Sequence, residues 1–316
     1  MTTNLNATNT LFLANLNRIE QRLADANNQI SSGQKINVAS DAPDQIDSLL
    51  QLRADRLQNQ QIQSNLTLAL TDAQAADNAL TGAISLMDRA TTLASEGTDI
   101  SQDANTRASM ASEAQSLLEQ MVSYSQTQVQ GHYSFSGDQD RSPSYQVNLN
   151  AADGSGVDQL TAAPATHLVE DPAGGSFATS QTAQTIFGPT TQSVDANGNP
   201  ITVPAQDNSF AALNSLHTAL LNNDTTGIDN AINAIKASVA HLNSMQAFYG
   251  SVEDRIQSAT SFATSYDTQL QAEISAKQDA DIPTAALELT QSNTELQAAL
   301  TMQGKMPTST LFNYLG

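Results

Sequence analysis

Residues 62–94 of the chain read IQSNLTLALTDAQAADNALTGAISLMDRATTLA. Apolar residues recur here at intervals that alternate between four and three: Ile62, Leu66, Ala69, Ala73, Ala76, Leu80, Ala83, Met87, Ala90 and Ala94. This spacing puts the apolar side chains in one stripe along an α-helix, as in coiled coils. The surrounding pattern predicts a helix over residues 42–95, which at about 1.5 Å per residue is about 80 Å long. A helix of this length does not fit inside the core of a compact two-domain enzyme.

A second helix of similar length is predicted over residues 225–278. Ile228, Ile232 and Ile235 begin its apolar stripe, which continues on a shifted phase toward Leu270. Two amphipathic helices of equal length bury the most apolar surface when they lie side by side, so we expect them to pack antiparallel. The predicted fold class is mainly α: a long antiparallel helical rod or coiled coil formed by both chain ends, with a small β-rich insertion in the middle.

The chain ends carry two further amphipathic patterns. The first predicts a helix over residues 8–32, with Gly33 as its C-cap and Asp41 as the N-cap of the long helix that follows. The second begins near Pro283 and ends near Pro307. Because neither segment has enough apolar residues for a core of its own, we expect both stripes to lack a partner within the isolated chain.

The character of the sequence changes at Gly131, where the helical spacing stops. Residues 131–206 hold 8 of the 15 glycines and 6 of the 9 prolines, between helices predicted over residues 105–130 and 208–222. The segment DANGNP, residues 195–200, predicts a turn. Short β-prone runs are expected to form strands at Tyr145–Leu149, His167–Val169, Thr185–Phe187, Val194 and Ile201–Val203.

These patterns divide the chain into three predicted domains. Residues 1–40 and 283–316 form a terminal inner coiled-coil domain, residues 41–142 and 207–282 form a helical rod domain, and residues 143–206 form a β-rich outer insertion. Because the insertion is rich in glycine and proline and joins two helices, we expect it to be dispensable for assembly.

The composition excludes several classes of protein. The chain has 316 residues and a net charge of −20, which argues against nucleic acid or an anionic membrane surface as a partner. It has no cysteine, so disulfides and thiolate chemistry are excluded. The first residues, MTTNLNATNTLFLANLNRIE, lack the basic start and continuous apolar run of a signal peptide, so we expect no cleaved signal peptide.

Candidate catalytic and metal-binding residues are few. The chain has four histidines, none at a metal-ligand spacing: His132, His167, His217 and His241. Paired carboxylates such as Asp279 and Asp281 can perform acid–base catalysis, but beside a helix break they are more often cap and turn residues. The chain has no phosphate-binding loop, dinucleotide fingerprint or nucleophile elbow. We therefore predict no catalytic residue, no metal site and no cofactor, and a protein that is not an enzyme.

The helical parts of the chain resemble the bacterial flagellin family. Residues 30–43, ISSGQKINVASDAP, are similar to that family's SSG stretch, which continues with a basic residue, isoleucine and a small-residue segment containing aspartate. Residues 11–137 follow the family's helix order, and residues 225–315 resemble its returning C-terminal helices. The resemblance covers about two-thirds of the chain.

Three segments resemble the branch of this family that forms the junction between the flagellar hook and the filament. Residues 131–137, GHYSFSG, are similar to its G-x-Y-x-F-x-G segment. The tripeptide DAD at 279–281, followed by LQA at 296–298, looks like a second pattern of that branch. The ending STLFNYL, residues 309–315, resembles its SLF-x-YL tail.

The resemblance implies a structural subunit of the bacterial flagellum that joins hook to filament. Such a subunit assembles with itself in a ring, with a hook-associated protein on the hook side and flagellin on the filament side. It reaches the outside of the cell through the flagellar type III apparatus, with the help of a cytoplasmic chaperone. The nearest alternative is a filament flagellin, and two others are an enzyme with its site in the insertion and a free-standing coiled-coil adhesin.

In this family the two chain ends pair in the inner tube, which assigns the candidate assembly interface to the terminal stripes. The predicted assembly residues are Phe12, Leu16, Ile19, Leu23, Ile30, Leu289, Leu296, Leu300, Leu311, Phe312, Tyr314 and Leu315. All are large apolar or aromatic side chains, and burying such side chains away from water stabilises a contact more than burying small ones.

Overall fold

Most of the chain is helical, as the apolar spacing predicts. The computed structural model describes residues 2–163 and 165–304, and their contacts divide them into two units. Unit 1 contains the residues up to Gln58 and those from Tyr266 onward, and unit 2 contains Asn59–Ser265. The three-part division of the sequence stays a prediction.

The helices are α1 Thr2–Ser32, α2 Pro43–Gly97, α3 Ala104–Ser125, α4 Ala183–Ile186, α5 Ser209–Leu221, α6 Thr225–Gln278 and α7 Ile282–Gly304. The strands are β1 Gln128–Val129, β2 His132–Tyr133, β3 Tyr145–Val147, β4 Val157–Gln159, β5 Leu168–Glu170, β6 Ser176–Ala178, β7 Thr190–Val194 and β8 Pro200–Pro204. The strands pair in sequence order as antiparallel hairpins. Within the described residues, no helix is both long and apolar enough to span a membrane.

In unit 1, the connector after α1 bonds to the connector after α6. α1 ends at Gly33, whose φ of +70° lies in the left-handed region that glycine adopts without strain, so the predicted C-cap is confirmed. The amide of Lys35 donates to the carbonyl of Gln278 (2.6 Å), and the amide of Ala280 donates to the carbonyl of Gly33 (3.0 Å). These bonds hold the beginning of α2 beside the end of α6.

The prediction that Asp41 caps α2 is wrong. Its carboxylate accepts hydrogen bonds from the backbone amides of Asn37 (2.8 Å) and Val38 (2.9 Å), which precede it in the connector. The bonds from Val38 and Asn37 lower the pKa of Asp41. α2 begins instead at Pro43, whose ring fixes φ and which has no amide hydrogen to satisfy in the first turn.

Behind this connector lies a small apolar core. Its buried members are Ile36, Ala42, Leu49 and Ile274. On the same stretch of helix, Arg56 forms an ion pair with Asp267 (3.1 Å), which joins the first turns of α2 to the last turns of α6. The connector is therefore anchored by packing as well as by hydrogen bonds.

In unit 2, α2 and α6 pack antiparallel, which confirms the predicted pairing. Asn59 Nδ2 donates to the carbonyl of Ala263 (2.8 Å), and Gln246 Nε2 donates to Thr81 Oγ1 (2.9 Å), so rising residue numbers in α2 meet falling numbers in α6. Every apolar residue quoted above from the 62–94 stripe is buried. The stripe that predicts α2 is thus also the core of this unit.

A buried arginine closes the end of α2. Arg107 of α3 donates from Nε to the carbonyl of Gly97 (2.8 Å) and from Nη2 to the carbonyl of Asp99 (2.9 Å). Its Nη1 donates to the side-chain oxygen of Asn223, in the turn between α5 and α6. One guanidinium therefore ties the α2–α3 loop to the α5–α6 turn.

α3 ends at Ser125, earlier than the residue 130 expected from its apolar spacing. Gln130 and Gly131 both have positive φ, +52° and +84°, and they form the two-residue turn of the β1–β2 hairpin. Positive φ at both central residues is the geometry of a type I′ turn, which matches the twist of paired strands. The turn requirement of this hairpin overrides the helical pattern.

The predicted β-rich insertion is present, with three differences in its segments. β3, β5, β7 and β8 lie where β-prone runs predict strands, and the turn at residues 195–200 joins β7 to β8. The strand predicted at Thr185–Phe187 is wrong, because this stretch enters α4, whose Thr182 accepts the amide of Thr185 as an N-cap (3.2 Å). β4 and β6 were not expected, since neither has a clear β-prone run.

The insertion shares a core with the helices. Phe135 packs edge-on against Phe187 (5.3 Å between ring centroids) and against Tyr249 of α6 (6.4 Å). Tyr145 of β3 packs on Phe210 of α5 (4.7 Å). All five rings are buried in one apolar cluster with α2 and α6. By its packing, the insertion belongs to unit 2.

Candidate assembly surface

The two ends of the described chain meet in unit 1, where α1 packs against α7. We call residues 2–32 and 282–304 the terminal helix pair. The expectation that these segments lack a partner within the chain is wrong. Neither helix has enough apolar side chains to be stable alone, but each covers part of the other's stripe.

The terminal helix pair buries mainly small side chains. Among its residues with described side chains, only Ala26, Ala285 and Ser292 are buried. Leu300 is 51% exposed. The other predicted assembly residues within the described part of the pair are half-buried: Phe12, Leu16, Ile19, Leu23, Ile30, Leu289 and Leu296. The structure therefore brings these residues onto one pair of helices and leaves much of their apolar surface uncovered.

The remaining predicted assembly residues lie outside the described residues, and their role stays a prediction: Leu311, Phe312, Tyr314 and Leu315. Four exposed leucine and methionine residues of the pair were not predicted, Leu11, Leu13, Leu287 and Met302, and Ile282 at the first position of α7 is also exposed, at 42%. The exposed fractions of these four lie between 54% for Leu13 and 68% for Leu287. Each of the four lies one or two positions from a predicted residue, so a wider apolar face on the helical wheel would have included them.

Two open grooves run between α1 and α7. The first has a volume of about 280 Å³ and lies around Ala26 and Ala285. The second has a volume of about 390 Å³ and lies around Ile19, Ala298 and Met302. The small side chains of Ala26, Ala285 and Ala298 leave this space between the two helices.

Arg22 lies between the two grooves and supplies the ionic contact of the pair. Its guanidinium forms ion pairs with Glu288 (3.2 Å) and with Glu295. The hydrogen bond to Glu295, with the charges of both carboxylates, raises the pKa of Arg22. Hydrogen bonds from Gln291 and Arg22 lower the pKa of Glu295. These two glutamates are the charged residues of α7, so the rest of the helix surface is apolar or neutral.

The residues considered for catalysis have structural contacts instead. Asp281 accepts the hydroxyl of Thr284 (2.7 Å) at the start of α7, as a cap residue does. His241 contacts Asp207 and the carbonyl of Thr185 (2.8 Å). Within the part of the chain that the structure describes, no group of three or more His, Asp or Glu side chains could hold a metal ion.

Comparison with known families agrees with this arrangement. The profile of the bacterial flagellin N-terminal helical region matches residues 2–140, and that of the C-terminal helical region matches residues 227–315. The two profiles together cover more than half of the chain. The N-terminal profile includes α1, and the C-terminal profile includes α7. No curated protein matches the chain in sequence at a significant level.

Several solved structures share the fold. A flagellar hook-associated protein from Vibrio parahaemolyticus is 17% identical, with a TM-score of 0.61 over 76% of this chain and 100% of its own. Flagellar hook-associated protein-3 from Legionella pneumophila is 14% identical, with a TM-score of 0.60 over 73% of this chain and 98% of its own. The flagellar junction protein FlgL of the same organism is 14% identical, with a TM-score of 0.53 over 66% of this chain and 99% of its own. The chain belongs to the flagellin family, with the helical regions of that family at both ends and the fold of flagellar structural proteins.

Proposed function

We propose that the chain is a structural subunit of the bacterial flagellum that joins hook to filament, and that it assembles with itself through the terminal helix pair. One observation carries the proposal: the pair buries only small side chains and leaves large ones, such as Leu287 and Met302, in water. A contiguous exposed apolar surface of this kind marks a site that another surface covers.

The chemistry of the pair fits copies of itself as the covering surface. Burying a leucine side chain stabilises by roughly 1.5–3 kcal/mol, so covering the exposed leucines of each subunit is a strong driving force. α7 has only two charged residues, and both are held by Arg22 of the same chain. The α7 face of the pair can therefore meet a neighbouring copy without placing an unpaired charge in an apolar seam, whereas α1 also carries Arg18, Glu20 and Asp25.

The remaining parts of the proposal rest on the family and on the hook-associated fold. The subunits form a ring, with a hook-associated protein on one side and flagellin on the other. The chain is exported through the flagellar type III apparatus without a cleaved signal peptide, accompanied in the cytoplasm by a chaperone. Its role is structural rather than enzymatic.

Localisation along the flagellum tests this function. Gold-labelled antibody against the chain should mark a narrow band at the distal end of the hook, and cells lacking the chain should release filaments into the medium. A filament flagellin, the alternative function, would be labelled along the whole filament, and its loss would leave bare hooks with no filament protein in the medium. Labelling along the filament would overturn the junction proposal.

A further inference from the structure

The β7–β8 hairpin projects from unit 2 with little cover. All five residues of β7 are exposed, including Val194, at 65%. Among the described residues, β8 is the only strand beside β7. A hydrogen bond at the base, from Asn208 Nδ2 to the carbonyl of Pro189 (3.1 Å), joins the hairpin to the beginning of α5.

The register of the hairpin shows which backbone groups point outward. The amide of Ala205 bonds to Pro189, and the amide of Asp195 bonds to the carbonyl of Asn199 (2.8 Å). Hydrogen-bonded and non-hydrogen-bonded pairs alternate in an antiparallel ladder. The pairs 190↔204, 192↔202 and 194↔200 are therefore non-hydrogen-bonded, and their amides and carbonyls face away from the partner strand.

The two outer edges of the hairpin differ in their capacity to pair. On β8, two of the three outward positions are Pro200 and Pro204, which have no amide hydrogen. On β7, the outward positions are Thr190, Gln192 and Val194, and all three offer both a donor and an acceptor. Proline on an edge strand is a common device against unwanted pairing, so β8 is protected and β7 is open.

We propose that the open edge of β7 pairs with β7 of a second copy of this chain. An antiparallel arrangement centred on Gln192 makes Gln192 face its equivalent and makes Thr190 face Val194. The three outward residues of each strand then form hydrogen-bonded pairs, and the result is a continuous four-stranded sheet. Thr190 opposite Val194 is a pair of β-branched side chains, which stabilises cross-strand contacts.

Charge selects the antiparallel orientation. The hairpin carries a single charged residue, Asp195, next to the end of β7. A parallel arrangement would put the two Asp195 carboxylates side by side. The antiparallel arrangement separates them by six residue spacings, about 20 Å, which is more than a Debye length at physiological salt.

This contact is separate from the ring contact of the proposed function. It is isologous, because the same strand serves both copies, so it pairs two chains and then stops. Assembly through the terminal helix pair uses residues of unit 1, whereas this contact uses residues of unit 2. Each of the two proposals can therefore fail while the other holds.

Two proline variants of one residue pair test the contact. Gln192→Pro removes an outward amide of β7, and Thr202→Pro removes the outward amide of β8 in the same non-hydrogen-bonded pair. Both substitutions lose the same side-chain bond, from Gln192 Nε2 to Thr202 Oγ1 (3.0 Å), and neither removes a backbone bond of the hairpin. They differ only in the edge that they block.

Sedimentation velocity on the full-length chain over a concentration series measures the effect. All chains carry Leu23→Asp, which blocks assembly through the terminal helix pair. We expect the chain with native β7 and β8 to approach twice the monomer mass, Gln192→Pro to lower the association constant by about tenfold or more, and Thr202→Pro to change it by less than about twofold. A chain with native β7 and β8 that stays monomeric, or equal effects of the two variants, would overturn the proposal.

Amide hydrogen exchange gives a second measurement that does not depend on the variants. In the associated wild-type chain, the amides of Thr190, Gln192 and Val194 should exchange more slowly than in the dilute monomer, while the amide of Thr202 should not change. Slowing at residue 202, or slowing of the β7 amides only after another flagellar protein is added, would show that a second copy is not the partner.

Discussion

Leu23 contributes to the fold of the single chain and, in the proposed assembly, to the contact between copies. It is half-buried in the terminal helix pair, so Leu23→Asp should lower the free energy of unfolding of the monomer by about 1 kcal/mol or less. In the assembled subunit the same carboxylate would enter an apolar seam, where an unpaired charge is costly. We expect a folded monomer and filaments released into the medium, measured by thermal unfolding and by filament counts.

Two control variants accompany Leu23→Asp, one at a buried position and one at an exposed position. Leu66→Asp places the charge in the buried stripe of α2 and should destabilise the monomer by more than about 3 kcal/mol. Asn27→Asp adds the same charge at an exposed position of α1 and should leave both monomer and attachment unchanged. A loss of monomer stability for Leu23→Asp as large as that for Leu66→Asp would contradict the assembly role.

Arg107 stabilises the fold through the hydrogen bonds that its guanidinium donates. Its guanidinium serves two carbonyls and the Asn223 side chain at the closed end of α2. Arg107→Met keeps much of the volume but removes the donor to the carbonyl of Gly97 and to the side-chain oxygen of Asn223, so the free energy of unfolding should fall by about 2–4 kcal/mol. Denaturant titration measures this effect. The exposed Arg141→Met is the control, and an equal effect of both variants would contradict a specific role for Arg107.

Asp72, in the middle of α2, carries a carboxylate whose charge the fold disfavours. Its pKa is raised, mainly by burial, with a smaller contribution from Asp140 and opposing ones from His167 and His132. A raised acid pKa costs no stability below the ordinary value of 3.8, and the cost grows as the pH rises through the folded-state pKa. Asp72→Asn should therefore match the wild type in acid and exceed its free energy of unfolding by up to about 1 kcal/mol at neutral pH. Thermal unfolding of both chains across pH measures this. A stability difference between Asp72→Asn and the wild type that stays the same at every pH would contradict the prediction.

At the scale of elements, the insertion is a structural part of unit 2. Replacing residues 143–204 by a short Gly/Ser linker would uncover Phe210 and Tyr249 and remove Phe187 and Ile186, which are fully buried. Each such side chain contributes roughly 1.5–3 kcal/mol, so this deletion should unfold much of the unit. This prediction is the opposite of the expectation from composition that the insertion is dispensable for assembly.

A smaller deletion distinguishes the exposed hairpin of the insertion from its buried aromatic residues. Removing residues 191–203, the exposed hairpin of β7 and β8, spares the aromatic cluster and should leave the melting temperature almost unchanged. Circular dichroism of both deletions provides the comparison. A stable, cooperative fold after the large deletion would show that the shared aromatic core is not needed.

At the scale of the whole molecule, charge opposes assembly. Each copy has a net charge of −20, so in the proposed assembly neighbouring subunits would repel at long range while their terminal helices attract at contact. Salt shortens the range of the repulsion between the charged subunits and does not weaken the apolar contact. Polymerisation of the purified chain, followed by light scattering, should therefore increase between low and moderate ionic strength. A decrease with salt would indicate that ion pairs between subunits drive assembly.

The sequence by itself determined the long helices, because their apolar stripes repeat over many turns. The alternation of four and three residues in 62–94 appears in the structure as the buried face of α2, and the 225–278 pattern appears as its antiparallel partner α6. The membership of the flagellin family was also readable, since the helical ends carry the family's motifs. A long periodic pattern averages over local exceptions, so single unusual residues do not disturb it.

Tertiary structure alone decided the features that depend on contacts between distant residues. The hydrogen bonds of Asp41 to the preceding amides and the placement of Phe135 against Tyr249 each need a partner that local spacing does not specify. The helix α4 formed where a β-prone run predicts a strand, because a cap at Thr182 and burial of Ile186 outweigh propensity. In the candidate assembly surface, spacing identified the stripe, but only the packed helices show how much of it remains in water.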